Sequence, residues 1–384
     1  MDRLSESDPE EEYVDISDDN SIEIIPKIEN DDDTQICIEE PIIVENSYVL
    51  YPIVGKEADG KFESKRRYRE FIALRENLKC QWQGCYIPQI PPKVYIGNLW
   101  KNVIDQRKKL LESFLQKLIK IHHLYHSELV QCFLKSSQEI PKTPYKCSYF
   151  QLSQIYENSF PDYSNFIANQ EHILMLENEK IYFTSHLKDL QLFKYNCYGT
   201  AWSFDQYNER LQIMYQGLKG VSKIYAKDKD IKTNIKVLEK NPYSILEDWA
   251  SSAILDIEAL IEAITCIDAF KAELIKIEEN REEEKKTLYE LERGNLGIFQ
   301  MLTMKPKEYY IEGSKLQLNR IDKEASSLQK IINISIGQLL NYEIPKTKEG
   351  RENFESASQA CLNLSVDNLT ALLQQKTRIK KCFN

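Results

Sequence analysis

The chain has 384 residues, 42% of them apolar, and a formal charge of −10. It is too long for one ordinary domain and apolar enough for a real core, which excludes a disulfide-stapled miniprotein or a wholly disordered polymer. The charge is segregated: residues 1–45 hold 17 acidic and 2 basic side chains, residues 46–140 hold 9 and 16, and residues 141–384 hold 34 and 32. The one basic segment suits a polyanion, whether nucleic acid, phosphorylated protein or anionic lipid.

Residues 1–40 are rich in Asp, Glu and Ser and carry too little apolar surface to offset chain entropy, so a disordered acidic tail is expected there. Ser5 and Ser7 each have an acidic residue three positions on, the pattern of an acidophilic kinase site. From Ile42 the chain turns to short β-rich runs: CIEEPIIV, SYVLYPIVG, a turn at ADGKF, and an extended run entering KRRY. Phe71, Leu74 and Leu78 then take helical spacing. Pro88, Pro91 and Pro92 force an extended stretch, and Ile104, Leu111, Phe114, Leu115 and Leu118 return to helical spacing before a short closing helix at Phe133 and Leu134. The reading is an α+β domain over 42–138, a three-stranded sheet plus helices, followed by a linker over 139–162.

Residues 163–384 read as almost purely helical. Phe183, Leu190, Cys197, Phe204, Leu211 and Leu218 recur every seven residues, and Leu246, Ala253, Leu260, Ile267 and Leu274 do the same. A third stretch through Leu318, Ile321, Ala325, Leu328, Ile332 and Leu339 is expected to be interrupted around Pro345 and Gly350. Helices of some 50–70 residues would be about 75–100 Å long. Such rods predict an elongated all-α three-helix coiled-coil bundle with an apolar seam that continues into a second copy of the chain.

The chemistry concentrates in KRRYREF, residues 65–71. An arginine fork suits a phosphate on an inositol ring, and an aromatic face suits the ring itself, so adjacent Arg67 and Tyr68 supply both. Lys93, directly after Pro91 and Pro92, offers a second cation on a rigid segment, and Arg107 a clamp from the opposite side. Between them Tyr95, Ile96, Leu99 and Trp100 lie in a loop without core periodicity, the composition of a membrane-inserting loop.

Other constellations fall away. Cys80 and Cys85 lack a second ligand pair, and His122, His123 and His126 lack the acid that a zinc helix needs, so no metal is expected. His186-Leu187-Lys188 starts a phospholipase D signature that fails at Phe193. No phosphate loop, nucleophile elbow or kinase motif appears, so no catalytic set and no cofactor is expected. The basic residues cluster around a turn and a proline loop rather than along a groove, which argues against nucleic acid. Nine scattered cysteines imply a reducing cytosol, and the acidic start and the lack of any apolar run of about 18 residues place any membrane contact on the cytosolic face.

Arg67-Tyr68-x-Glu70-Phe71, Ile87-Pro88-Gln89-Ile90-Pro91-Pro92-Lys93, Arg107-x-x-x-Leu111-x-x-Phe114-Leu115 and the closing Phe133-Leu134 together resemble the Phox-homology (PX) domain across 42–138. Gln89 departs from the proline usual in that family. The resemblance implies that Arg67 holds a 3-phosphate, that Tyr68 underlies the inositol ring, that Lys93 meets the 1-phosphate and that Arg107 binds the 4- and 5-hydroxyls, with phosphatidylinositol 3-phosphate as ligand. A PX domain followed by a three-helix rod resembles the sorting nexins with a BAR domain, and the ending KTRIKKCFN looks like the branch that includes sorting nexin four. That resemblance implies a non-enzymatic protein, peripheral on endosomal membranes, acting as a homodimer or as a heterodimer with another sorting nexin. It would sense or form curved tubules in cargo recycling or autophagy. The alternative is an endosome-placed coiled-coil adaptor that binds protein partners without shaping membrane.

Overall fold

Four strand segments form the sheet: β1 (Gln35–Ile38), β2 (Ile42–Val44), β3 (Tyr48–Glu57) and β4 (Gly60–Arg67). β4 runs antiparallel along one edge of β3, from Leu50↔Arg67 to Glu57↔Gly60. β1 and β2 lie end to end on the other edge, facing Ile53–Lys56 and Tyr48–Leu50 respectively. The sheet is therefore three strands wide, as expected, with its first strand broken at Pro41, which has no N–H to give a ladder. It begins earlier than the sequence indicates. β1 falls inside the 1–40 stretch read as tail, because Ile36 and Ile38 turn inward while Gln35 and Cys37 alternate outward. In this computed structural model the described residues are 34–58, 60–144, 146–225, 241–294 and 306–383. The acidic residues 1–33, residues 226–236 of a lysine-rich run, Met304 and Lys305, and the side chains of Leu218 and of the KTRIKKCFN ending lie outside them.

α1 (Tyr68–Gln81) starts where Arg67 leaves the strand in extended conformation (φ −86°, ψ 153°) and donates its N–H to Glu70 Oε2 at 2.9 Å. Phe71, Leu74 and Leu78 form its buried stripe. Phe71 meets Tyr51, Phe114 and Phe133 edge-on, with ring centroids 6.3, 6.3 and 4.9 Å away. α2 (Lys101–Leu118), α3 (His122–Tyr125) and α4 (Glu128–Lys135) complete this α+β unit.

Arg66, expected to serve as support, surface attraction or strand structure, is 1% exposed. Its Nε donates to Phe133 O at 2.9 Å, one terminal nitrogen to Glu70 Oε1 and Gln138 O at 2.9 and 2.6 Å, and the other to Cys132 O and Ser136 O at 3.0 and 2.5 Å. The last carbonyls of a helix have no partner within it. Arg66 supplies one for α4 and so fastens β4 to the far end of the domain.

The stretch read as a linker holds a helix of its own. α5 (Tyr149–Ser159) begins at Ser148, whose Oγ accepts the Gln151 N–H, and buries Leu152 and Tyr156, with the Tyr156 hydroxyl donating to Gln83 O at 2.5 Å. It wedges between the α+β unit and the bundle. α6 (Gln170–Tyr225) and α7 (Pro242–Glu292) have 56 and 51 residues, about 84 and 77 Å at 1.5 Å per residue. Their expected seams are inward: Phe183, Cys197, Leu260 and Ile267 are buried. α8 (Lys307–Gln338) buries Ala325, Leu328 and Ile332.

The expected interruption near Pro345 takes an unexpected form. Residues Leu339–Glu343 form a π-helix that leads directly into α9 (Ile344–Lys348) and α10 (Gly350–Phe383). The wider turn accommodates the proline, so the rod bends its hydrogen bonding instead of ending.

The two units are docked. On α7, Asp248 pairs with Lys109 at 2.8 Å, Asp256 with Lys117 at 2.6 Å and with the Tyr86 hydroxyl at 2.8 Å, and Glu262 with Lys79 at 2.5 Å and with Arg75. Gly84 has φ +81°, and a Cβ there would lie 3.2 Å from side-chain atoms of both Ile267 and Ser335, so only glycine fits this approach.

Two measurements check these placements. Arg66→Ala should cost about 3 kcal/mol or more in urea unfolding, because it orphans several buried carbonyls at once. Arg69→Ala, which removes an exposed pair with Glu139, should stay within about 0.5 kcal/mol. Glu343 is buried, and desolvation pushes its carboxyl up to about 7 against the smaller pull of Lys346 and of the Gln338 amide. An unfolded glutamate titrates near 4.3. Between about 4.3 and 7 the folded chain therefore holds the extra proton, and stability from this group falls as pH rises through that window. Glu343→Gln should flatten that slope and raise the melting temperature at pH 8.

Candidate functional site

The alternation of side chains along β4 sends Arg66 inward and Arg67 to the opposite face. Arg67 sits over the Tyr48 ring, with its guanidinium carbon 3.6 Å from the centroid. Tyr48 opens β3 two residues before Leu50, the β4 partner of Arg67, so the strand register makes this contact. Tyr68, the first residue of α1, donates its hydroxyl to Pro91 O at 2.6 Å, which ties the proline loop to the end of the sheet. Burial pushes the Tyr68 phenol above its ordinary range, so it remains a donor. Arg107, in the second turn of α2, is buried and sits 4.2 Å above the Tyr68 ring. Lys93, two residues beyond Pro91, is exposed, 5.0 Å from the Tyr95 ring.

Arg67, Tyr68 and Arg107 are thus brought to one place, and Lys93 is carried on the loop that Tyr68 holds. Arg66 and Arg69 have carboxylate partners in Glu70 and Glu139. Among the described residues no ion pair involves Arg67, Lys93 or Arg107. Each of these three cations instead rests on an aromatic ring, a contact worth about 0.5–1 kcal/mol at an exposed site. Their charge is left available to a bound anion, and the Tyr68 ring gives the site an apolar face.

Tyr95 and Ile96 are each 82% exposed and Trp100 is 61% exposed. Leu99 differs from expectation: it packs half-buried against the domain core. Gly97 (φ +74°) turns the loop, and the Trp100 ring covers it so closely that a Cβ would lie 2.5 Å from the indole. Two contacts could not be foreseen from the sequence. Tyr48 reaches Arg67 only through strand register, and Arg66 finds its carbonyl partners some 70 residues along the chain. Burial holds the His123 imidazole down to about 3 and pushes the Cys85 thiol up to about 12, which makes both core residues at neutral pH.

A small antiparallel sheet, a helix opening on Arg67 and Tyr68 and a proline loop make up the first unit, and a long helical bundle follows it. The PX domain family model matches residues 55–137. Sorting nexin-17 of Danio rerio is 31% identical over 94 residues, which are 24% of this chain and 19% of that protein. Autophagy-related protein 20 of Debaryomyces hansenii is 35% identical over 114 residues, 26% of this chain and 18% of that protein. The chain thus spans about a fifth of the length of each of these relatives. Among solved structures, the cryo-EM structure of the SNX-BAR Mvp1 tetramer is 18% identical, covers 91% of this chain and 100% of that one, and gives a TM-score of 0.48. The chain thus contains a PX domain, and a long helical bundle follows it.

Proposed function

We propose that this is a non-enzymatic membrane-trafficking protein that binds phosphatidylinositol 3-phosphate, sits peripherally on the cytosolic face of endosomal membranes and dimerises there through its bundle. The observation that carries the reading is the set of three cations, Arg67, Lys93 and Arg107, each against an aromatic ring and none in an ion pair with a carboxylate of the described residues. In this reading Arg67 takes the 3-phosphate, Tyr68 lies under the inositol ring, Lys93 meets the 1-phosphate and Arg107 binds ring hydroxyls. Tyr95, Ile96 and Trp100 enter the bilayer interface beside them.

Dimerisation is supported by apolar side chains that stand exposed among the described residues. On α6, Leu174, Ile181, Tyr195 and Trp202 fall at multiples of seven residues and are exposed, and on α10 Leu362, Val366 and Leu369 form a second such row. Contiguous exposed apolar rows of this kind mark association surfaces. Two headgroup sites on one dimer would multiply residence on the membrane through effective concentration. Sensing or forming curved tubules for cargo recycling is the role that an elongated dimer of this architecture would serve. The name of the Debaryomyces relative adds autophagy as a candidate process.

Arg67→Ala should weaken binding to vesicles bearing phosphatidylinositol 3-phosphate by at least about tenfold, the scale of one lost charge-assisted pair. Arg69→Ala should not change it, and unchanged binding by Arg67→Ala would refute the site. Light scattering of the full chain should give a dimer mass, and Tyr195→Glu with Trp202→Glu should halve it. A monomeric mass for the unmodified chain on its own would leave only pairing with a different sorting nexin.

A further inference from the structure

The proline loop is held to the rest of the chain at two carbonyl oxygens. Proline has no N–H, so Pro88, Pro91 and Pro92 can be anchored only as acceptors. The Tyr68 hydroxyl donates to Pro91 O at 2.6 Å, and the Arg75 Nε to Pro88 O at 3.0 Å. Both donors stand on α1 seven residues apart, two turns along one face of the helix. Among the described residues the one other hydrogen bond within 88–92 is local, from the Ile90 N–H to Gln89 Oε1 at 3.3 Å. On the bundle side packing does not replace these anchors. An open cavity of about 470 Å3 is lined there by Pro91, Pro92 and Lys93 together with Ile254, Leu255 and Glu258 of α7.

Arg75 differs from Tyr68 in having a second partner outside the PX unit. It is 4% exposed and belongs to the buried stripe of α1. A buried guanidinium is tolerated only when its donors are answered, and its planar fork can serve two acceptors at once. One terminal nitrogen of Arg75 donates to Glu262 Oε2 of α7 while Nε holds Pro88 O. Glu262 is in turn paired with Lys79, one turn further along α1, at 2.5 Å. A continuous set of polar contacts therefore runs from α7 through Arg75 to the segment that carries Lys93.

We propose, on the headgroup reading given above, that Arg75 is a positioning residue for that site, through which α7 of the bundle fixes the proline loop and so sets the affinity for a phosphorylated inositol. Arg75 does not touch the ligand. It holds Pro88 O, and together with the Tyr68 hydroxyl on Pro91 O it places Lys93 where a phosphate meets it. Headgroup binding and docking of the bundle are then linked, and each favours the other.

Calorimetry of the full chain with a short-chain, soluble phosphatidylinositol 3-phosphate tests this without a bilayer. Arg75→Lys keeps the charge but not the two-acceptor fork, and Glu262→Gln removes the bundle's carboxylate from a partly exposed position. Each should weaken binding at least about threefold, and the double variant should fall short of the product of the two effects, because both act through one side chain. In both variants the amides of Gln89, Ile90 and Lys93 should exchange faster while the β3–β4 sheet keeps its protection. Lys79→Ala and Asp248→Asn, which remove other docking pairs, should leave the affinity unchanged. Unchanged affinity in either Arg75→Lys or Glu262→Gln, alongside weakened binding by Arg67→Ala, would overturn the positioning role and leave the headgroup site standing. Equal weakening by Lys79→Ala or Asp248→Asn would overturn it in favour of docking as a whole. An unmodified chain that does not bind this lipid would overturn the headgroup reading and the positioning role with it.

Discussion

The Arg66 guanidinium is the fixed point of the PX unit. A buried cation is tolerated only when its donors are answered, and here four carbonyls and the Glu70 carboxylate answer them. Because those carbonyls belong to the end of α4 and the chain just beyond it, the last residues of β4 are held against the closing helix of the domain. The next residue must face the other way, and Arg67 and Tyr68 are thereby presented where the sheet ends and α1 begins. Glu70 works on both sides of this junction, with one oxygen on Arg66 and the other on the Arg67 N–H. The position of Arg67 and Tyr68 thus depends on an arginine that is not grouped with them.

The cations of the site are held by rings rather than by acids, and this decides what they can do. A carboxylate beside Arg67 or Arg107 would have to be displaced by an incoming phosphate, whereas an aromatic face orients the guanidinium and leaves its N–H edge free. Tyr68 has two tasks here, with its ring under Arg107 and its hydroxyl on Pro91 O. Where the domain meets α7 the opposite arrangement prevails. Lys79, Arg75, Lys117 and Lys109 are spent on a row of acids along α7. The basic excess of residues 46–140 therefore divides into a part that docks the PX unit on the bundle and a part that remains available to ligand.

Much of this was legible in the chain. The helix periods place Phe71, Leu74 and Leu78 inside, the seven-residue steps along α6 and α7 run through their buried faces, and Pro91-Pro92-Lys93 keeps its lysine exposed. Local chemistry fixes these features, so local sequence carries them. The failures share one cause as well. β1 was concealed by acidic neighbours, although two inward isoleucines suffice once β3 and α2 are there to receive them. α5 looked like a linker because its burial is supplied by residues far away in sequence. Leu99 read as part of an apolar loop, but packing turned it toward the domain while Tyr95, Ile96 and Trp100 stayed out.

By itself the sequence determined the two-part architecture and the residue types available for an anion, because periodicity and composition follow from which side chains must leave water. The sequence already singled out Arg67 for the anion; only the tertiary structure decided that Arg66 is a buried residue tied to the end of α4. It also decided that Tyr48 supports Arg67 and that a π-helix absorbs Pro345. Those outcomes rest on strand register and long-range carbonyl partners, which arise from contacts between segments that no local pattern records.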